Sequence, residues 1–105
     1  IDRAVYCGSK FGIEGMTEAS AIELAAHKIR VNTIAPTFIR TPMTQSTFDN
    51  PERVKWLEEK IKLGRVGEIE DIMGAVLFLA SDESKFINGA AIRVDNAKSI
   101  VEGVV

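Results

Sequence analysis

One apolar segment constrains the fold of this chain more than any other feature of its sequence. The segment IRVNTIAP (Ile29 to Pro36) is rich in branched residues and shows little alternation between apolar and polar side chains. That pattern is typical of a strand covered on both faces. A second short strand is predicted at AAIRVD (Ala90 to Asp95), after a long crossover. Such a crossover favours two parallel strands in an α/β sheet.

A long helix is predicted before the first strand, from Tyr6 to about His27. It contains no proline, and its apolar residues are spread around several sides, which predicts burial on more than one side. Each glycine inside a helix costs about 1 kcal/mol relative to alanine. We therefore expect another backbone to approach this helix closely at its three glycines, Gly8, Gly12 and Gly15.

Two further helices are predicted between the strands, after an irregular loop over residues 37–50. One begins at Pro51, capped by Asp49 or Asn50, and ends near Lys60. The other carries acidic residues in its first turn, where they complement the helix dipole. Its apolar residues recur at helical spacing: Ile69, Ile72, Met73, Val76, Leu77 and Ala80. Two strands cannot form a stable parallel sheet alone, so the sequence predicts part of a larger domain.

Composition excludes several classes of protein. The chain has 105 residues, 46% of them hydrophobic and 27% charged, as in one soluble globular domain. Its longest apolar run, AVLFLA, is far shorter than the roughly 20 residues that span a bilayer. A net charge of −2 gives no reason to expect nucleic acid as a partner. Cys7 is the single cysteine, which excludes an intramolecular disulfide and favours the cytoplasm.

Tyr6 and Lys10 form the clearest chemical motif. They are four residues apart, so on a helix both side chains lie on one face. A phenol beside an ammonium group suits proton transfer, although Y-x-x-x-K alone is a common pattern. Three more motifs follow in order: R-V-N-x-I-x-P at residues 30–36, T-P-M at residues 41–43, and V-D at residues 94–95.

Together these motifs resemble the C-terminal half of a short-chain dehydrogenase/reductase, near the xylulose/dicarbonyl reductase and 3-oxoacyl reductase branches. The match runs from Tyr6 to about Asp95. The resemblance implies the C-terminal portion of one Rossmann-like, doubly wound parallel sheet, with residues 1–105 forming part of a single domain. It also implies NAD or NADP as cofactor, a small carbonyl or secondary alcohol as substrate, a homo-oligomer, and no metal.

The resemblance assigns roles to individual residues. Tyr6 matches the general acid/base of hydride transfer, and Lys10 matches the lysine that binds the nicotinamide ribose and helps the phenol to ionise. Both therefore also count as cofactor-binding. The remaining cofactor-binding residues match the segment that closes over the nicotinamide, where the amide of Ile39 and the hydroxyl of Thr41 contact the cofactor. The segment contributes Pro36, Thr37, Ile39, Thr41 and Met43.

Four positions depart from the family pattern. Thr37 stands where most members have glycine, so its backbone must avoid positive φ. Asn96 and Ala97 replace the two glycines of the usual D-G-G ending, which puts the family's terminal subunit contact in doubt. Lys28 stands where a glycine often follows the helix in a left-handed conformation.

Other family features do not fall within this sequence. Gly8, Gly12 and Gly15 have the spacing G-x-x-x-G-x-x-G and lie inside a helix, so we reject them as a phosphate loop. The catalytic serine of the family precedes the tyrosine, and Ser9 cannot replace it. Two hypotheses follow. The chain is part of an oxidoreductase, inactive as residues 1–105 alone, or it is a non-catalytic binding or oligomerisation module derived from the family.

Overall fold

The computed structural model describes residues 3–97 of the chain. Two parallel strands pair side by side, which confirms the predicted α/β class, and three helices rather than the predicted two lie between them. No helix within residues 3–97 combines the length and apolar character that crossing a membrane requires. The elements of this part are α1 (Ala4–Leu24), β1 (Thr33–Pro36), α2 (Gln45–Phe48), α3 (Pro51–Lys60), α4 (Ile69–Ala80) and β2 (Ala91–Val94).

β1 is shorter than the sequence predicted, because it begins at Thr33 rather than at Ile29. The backbone just before it is bound to a turn instead of a strand. The N–H of Val31 donates to Oδ1 of Asn88 at 2.9 Å, and the carbonyl of Val31 accepts from the N–H of Gly89 at 2.8 Å. Apolar branched residues alone could not distinguish these two kinds of pairing.

The predicted irregular loop over residues 37–50 is partly helical, which corrects the sequence-based expectation. A 3₁₀ turn over Pro42–Thr44 leads directly into α2. Thr41 and Thr44 start this turn with a reciprocal cap. The N–H of Thr44 donates to Oγ1 of Thr41 at 3.3 Å, and the N–H of Thr41 donates to Oγ1 of Thr44 at 2.9 Å. The usual capping box has Glu or Gln as its second member, so T-P-M-T was not recognised as one.

α3 has the predicted bounds, Pro51–Lys60. Asn50, not Asp49, caps it, since Oδ1 of Asn50 accepts from the N–H groups of Glu52 at 3.1 Å and Arg53 at 3.3 Å. These bonds satisfy two of the amides that every helix leaves unpaired at its start.

The described chain consists of two compact units. The first comprises residues 3–34 and 78–92. Within it, the guanidinium of Arg30 donates to the carbonyls of Leu79 at 2.9 Å and Ile87 at 3.2 Å. Arginine provides several donors in a rigid plane, so one side chain satisfies carbonyls that neither helix nor strand pairs.

The second unit comprises residues 35–77 and 93–97. Its core is built on Leu57, which is fully buried. Burying a leucine side chain contributes about 2 kcal/mol. The buried apolar cluster contains Phe48, Leu57, Ile61 and Val66, with Phe38 and Val54 packed against it.

α1 is largely uncovered within the described chain, although its apolar composition predicted burial on several sides. Only Thr17 and Ala21 on it are buried, whereas Phe11 is 72% exposed and Met16 is 71% exposed. The expected close approach at its glycines does not occur among residues 3–97. A methyl group built at any of the three glycines of α1 has no neighbour within 4 Å.

Lys28 adopts the left-handed conformation expected where a glycine commonly follows a helix, with φ 61° and ψ 32°. An L-residue in this region carries a cost of about 1–2 kcal/mol that glycine avoids. Replacing Lys28 by glycine would remove that cost, but the greater conformational entropy of glycine in the unfolded chain would offset part of the stabilisation. We expect Lys28→Gly to raise the free energy of unfolding by about 0.5–1 kcal/mol in urea denaturation.

Lys55→Gly is the matched control for this substitution. Lys55 lies inside α3, so the same replacement there should lower the free energy of unfolding by about 1 kcal/mol. A loss of stability in Lys28→Gly would contradict the cost assigned to its left-handed backbone.

Candidate active site

Tyr6 and Lys10 lie together in the first turns of α1. Nζ of Lys10 is 5.4 Å from the centroid of the Tyr6 ring, and the guanidinium carbon of Arg3 is 5.6 Å from it. The four-residue spacing therefore places both side chains on one face, as predicted. The Tyr6 side chain is exposed at 55%. Its hydroxyl is accessible to a ligand, in surroundings that carry positive charge.

Ser9 is engaged with the helix backbone. Its Oγ donates to the carbonyl of Tyr6 at 2.7 Å, a local bond of the kind serine often forms inside helices. This geometry agrees with the exclusion of Ser9 as the family's catalytic serine.

The second group of predicted residues follows β1, in the second unit. Pro36 is the last residue of β1, and Thr37 has no positive φ, as its replacement of glycine required. Ile39 forms an isolated parallel bridge with Gly67, and it is 9% exposed. Met43 is 90% exposed. The segment is thus held at Ile39 and open at Met43.

The bridge to Gly67 leaves the amide of Ile39 on the outer side. The N–H of Arg40 donates to the carbonyl of Gly67 at 2.8 Å, and the N–H of Gly67 donates to the carbonyl of Phe38 at 3.0 Å. Because alternate residues of a strand point their polar groups in opposite directions, the N–H of Ile39 faces away from Gly67. That orientation suits an amide that donates to a ligand.

Gly67 favours this close pairing, because a side chain there would crowd its neighbours. A methyl group at Gly67 would collide with Cδ1 of Ile39 and would lie 3.3 Å from the carbonyl oxygen of Phe38. In the sequence, Gly67 lies between the two helices predicted after the first strand. The signal it offered was a glycine before an acidic helix start, which predicts a turn and not a bridge.

The hydroxyl of Thr41 is joined to Thr44, a residue the sequence did not single out. The two hydroxyl oxygens are 3.2 Å apart, and Oγ1 of Thr44 also donates to the carbonyl of Ile39 at 2.8 Å. Thr44 therefore fixes both the side chain of Thr41 and the backbone of Ile39. A hydroxyl retains further acceptor capacity, so Thr41 can still contact a ligand.

A cavity of about 270 Å³ lies in the second unit, next to residues that follow both strands. Arg65 and Asp71 line it and form a bidentate ion pair with two distances of 2.8 Å. The hydrogen bond from Arg65, followed by that from the N–H of Glu68, holds the pKa of the Asp71 carboxyl well below its usual range. The walls include Thr37, Ile39, Arg65, Asp71, Arg93 and Asp95.

Asn96 and Ala97 keep the backbone that two glycines would adopt. Their φ angles are 55° and 67°, and the N–H of Ala97 donates to Oδ1 of Asp95 at 3.1 Å. Asparagine tolerates this region better than alanine does. The D-N-A ending therefore has positive φ angles at both positions, a conformation that glycine adopts without strain.

The predicted site residues form two groups, one in each unit. The structure brings Tyr6 and Lys10 together in the first unit, and it joins Ile39 and Thr41 through Thr44 in the second. Among residues 3–97, His, Cys, Asp and Glu side chains nowhere form a group of three that could hold a metal ion.

Comparisons with known proteins identify the family. The family model for enoyl-(acyl carrier protein) reductase matches residues 2–96. L-xylulose reductase of Bos taurus is 39% identical over 94 residues, which are 90% of this chain and 38% of that protein. The 3-oxoacyl-(acyl-carrier-protein) reductase of Thermotoga maritima is 46% identical over 91 residues, covering 86% of this chain and 36% of that protein.

Solved structures agree with these relatives. Gluconate 5-dehydrogenase of Burkholderia cenocepacia, in complex with NADP and tartrate, matches with a TM-score of 0.85 and 29% identity, over 92% of this chain and 38% of that one. A 4-hydroxyisoleucine dehydrogenase complexed with NADH matches with a TM-score of 0.84 and 33% identity, over 89% of this chain and 38% of that one.

The chain belongs to the short-chain dehydrogenase/reductase family, and its fold is the C-terminal portion of that family's Rossmann-like sheet. It lies near the xylulose reductase and 3-oxoacyl reductase branches that its motifs resembled. The chain spans 38% of the length of the L-xylulose reductase it matches.

The Arg65–Asp71 ion pair makes the free energy of unfolding of the chain depend on pH. The folded state lowers the pKa of Asp71, so it stabilises the ionised carboxylate relative to the unfolded chain. That stabilisation is complete above the ordinary aspartate value of about 4 and is lost as the pH falls below it. We expect Asp71→Asn to unfold at lower urea concentration than the unmodified chain at pH 7, with the difference shrinking towards pH 2.

Glu70→Gln on the same helix provides the control, because Glu70 is exposed and takes part in neither of the two ion pairs among residues 3–97. Its effect on the urea midpoint should be smaller at pH 7. An Asp71→Asn difference that stays constant from pH 7 to pH 2 would contradict the role given to the ion pair.

Proposed function

We propose that this chain is the C-terminal part of a single short-chain dehydrogenase/reductase domain whose whole protein is an NAD(P)-dependent oxidoreductase. The observation that carries the proposal is the Tyr6–Lys10 pair, with its 5.4 Å separation, in a chain that the family model matches over residues 2–96. The substrate is a small carbonyl compound or secondary alcohol. Residues 1–105 alone are expected to be inactive, since the family's phosphate loop and catalytic serine are not among them.

Tyr6 is the proton donor and acceptor in this proposal. A bound nicotinamide would supply or accept the hydride at the substrate carbon. As a carbonyl is reduced, negative charge develops on its oxygen, and the exposed Tyr6 hydroxyl protonates that oxygen. In alcohol oxidation the same phenolate oxygen accepts the proton.

Lys10 supports that step electrostatically. Its ammonium lies 5.4 Å from the centre of the Tyr6 ring, where a positive charge stabilises negative charge that develops during the reaction. It also provides three N–H donors, which suit the hydroxyls of the nicotinamide ribose. Arg3 adds a second positive charge near the same ring.

The segment from Pro36 to Met43 is proposed to bind the nicotinamide end of the cofactor. The amide of Ile39 faces away from its bridge to Gly67, which leaves it able to donate to a carboxamide. Thr41 contributes its hydroxyl, and backbone groups at Pro36 and Thr37 line the same contact. The cofactor is NAD or NADP, since NADP and NADH occur in solved members of the family.

The relatives support a carbonyl compound as substrate. One acts on L-xylulose, by its name, and another on a 3-oxoacyl group, so both reduce carbonyls. We place the protein in the cytoplasm because its single cysteine, Cys7, is free and exposed. Neither nucleic acid nor a membrane is a proposed partner.

A non-catalytic module is the alternative, and the altered D-N-A ending was the feature that favoured it. That ending keeps the left-handed backbone at Asn96 and Ala97. This backbone conformation, together with the presence of Tyr6, Lys10 and Thr41, supports the enzyme over the non-catalytic module.

A homo-oligomer, dimeric or tetrameric, is proposed to form through α1. Phe11, Met16 and Ile22 are between 71% and 78% exposed on this helix, and burying each would contribute about 1.5–3 kcal/mol. We expect Met16→Lys to shift the whole protein towards smaller species in light scattering. Phe86→Lys is the control, because Phe86 is fully exposed but lies outside α1. A monomeric unmodified protein at high concentration would refute this assembly.

Tyr6→Phe tests the catalytic role directly. In the whole protein, we expect this substitution to reduce kcat for carbonyl reduction by at least 100-fold, since general acid catalysis contributes about 10²–10⁴-fold. Cofactor affinity, measured by fluorescence titration, should remain nearly unchanged because the ring is retained. Cys7→Ser, at the neighbouring position, should keep normal turnover. Unchanged kcat in Tyr6→Phe would refute the role of Tyr6.

A further inference from the structure

Glu14 stands one helical turn after Lys10 on α1, yet its carboxylate bonds elsewhere. Oγ1 of Thr33, the first residue of β1, lies 3.1 Å from Oε1 of Glu14 and 3.2 Å from Oε2. Both residues are half-buried, whereas Lys10 is exposed. Among residues 3–97, neither Lys10 nor Glu14 takes part in an ion pair.

Without Thr33, Lys10 would be the natural partner of that carboxylate. Oppositely charged residues four apart on a helix attract one another by about 0.2–0.5 kcal/mol. An ammonium paired in this way would have fewer donors for a ligand, and the carboxylate would cancel part of its charge near Tyr6. A negative charge close to a phenol also opposes formation of the phenolate.

Thr33 is well placed to prevent this pairing. Its own N–H donates to the carbonyl of Ala90 at 2.9 Å, so the start of β1 is fixed and the hydroxyl has a defined position. A hydroxyl that donates to a carboxylate forms a charge-assisted bond, which is stronger than one between neutral groups. The half-buried setting of Glu14 strengthens the bond further, since less water competes for it.

We propose that Thr33 is a positioning residue that holds the Glu14 carboxylate on β1 and thereby keeps the Lys10 ammonium unpaired for Tyr6 and the cofactor. The part concerning Tyr6 and the cofactor rests on the proposed function. The part concerning the partner of Glu14 stands on geometry alone, so the two can be tested separately.

The first test measures Lys10 without any turnover. The whole protein is labelled with an acetylating N-hydroxysuccinimide ester at a single pH, and the rate at Lys10 is measured by mass spectrometry against exposed Lys85 as internal reference. In Thr33→Val, the released carboxylate should pair with Lys10 and slow its labelling about 1.5- to 2-fold, the factor that the attraction of such a pair supplies.

Further variants separate this effect from a loss of structure. Thr33→Ser keeps the hydroxyl and should label at the unmodified rate. The double variant Thr33→Val/Glu14→Gln has the same valine but no carboxylate, so it should also return to that rate. Thr33→Val/Glu18→Gln removes a carboxylate one turn further along α1, and it should remain slow. Unchanged labelling of Lys10 in Thr33→Val, or slow labelling that persists in the Glu14→Gln double variant, would overturn the proposal.

The second test concerns the cofactor. In Thr33→Val, the KM for NAD(P)H should rise about 1.5- to 2-fold, and the Glu14→Gln double variant should restore it. Slower labelling with an unchanged KM would support Thr33 as the residue that holds Glu14 and would count against Lys10 as a cofactor ligand. The failure of the proposed function is thereby distinguished from the failure of this inference.

Discussion

The first unit depends on side-chain amides that satisfy backbone groups at or near the ends of its helix and strands. Nδ2 of Asn88 donates to the carbonyl of Ala21 on α1 at 3.0 Å, while its Oδ1 accepts from the N–H of Val31. Asn32 completes the arrangement, because its Oδ1 accepts from the N–H of Ala90 at 2.9 Å. These bonds tie α1 to the chain before β1. Removing one amide would leave polar groups unpaired, at about 1–3 kcal/mol each where they are buried.

This attachment matters for the proposed chemistry because Tyr6, Lys10 and Glu14 all lie on α1. A helix with an exposed surface and three glycines has little packing of its own to fix its position. The bonds from Asn88 to α1 and from Thr33 to Glu14 supply that constraint within the first unit. In the second unit, Thr44 and Gly67 fix Ile39 and Thr41 in the same sense, through hydrogen bonds and close backbone contact.

The sequence predicted correctly those features that depend only on residues close together in the chain. The bounds of α3 follow from a capping asparagine and a proline in the first turn, and those of α4 from an acidic start and a helical apolar repeat. The common face of Tyr6 and Lys10 follows from helix geometry alone. The family itself was indicated by motifs whose order and spacing match the relatives.

Other features could not be predicted from the sequence, because most of them depend on contacts between residues far apart in the chain. β1 starts later than expected because Asn88, more than fifty residues along, takes the amide of Val31. Thr44 was missed because the helical turn after Thr41 is started by a threonine where the common motif has Glu or Gln. Nothing in the sequence indicated that Gly67 would bridge to Ile39.

The sequence by itself determined α1, α3, α4, the strand that ends at Pro36, the common face of Tyr6 and Lys10 and the family, because each depends on neighbouring residues or on motif order. Tertiary structure decided which partner each polar side chain takes. Glu14 illustrates the difference. Sequence spacing offers it Lys10, whereas the folded chain gives it Thr33, because a charge-assisted bond in a half-buried setting is stronger than an exposed ion pair.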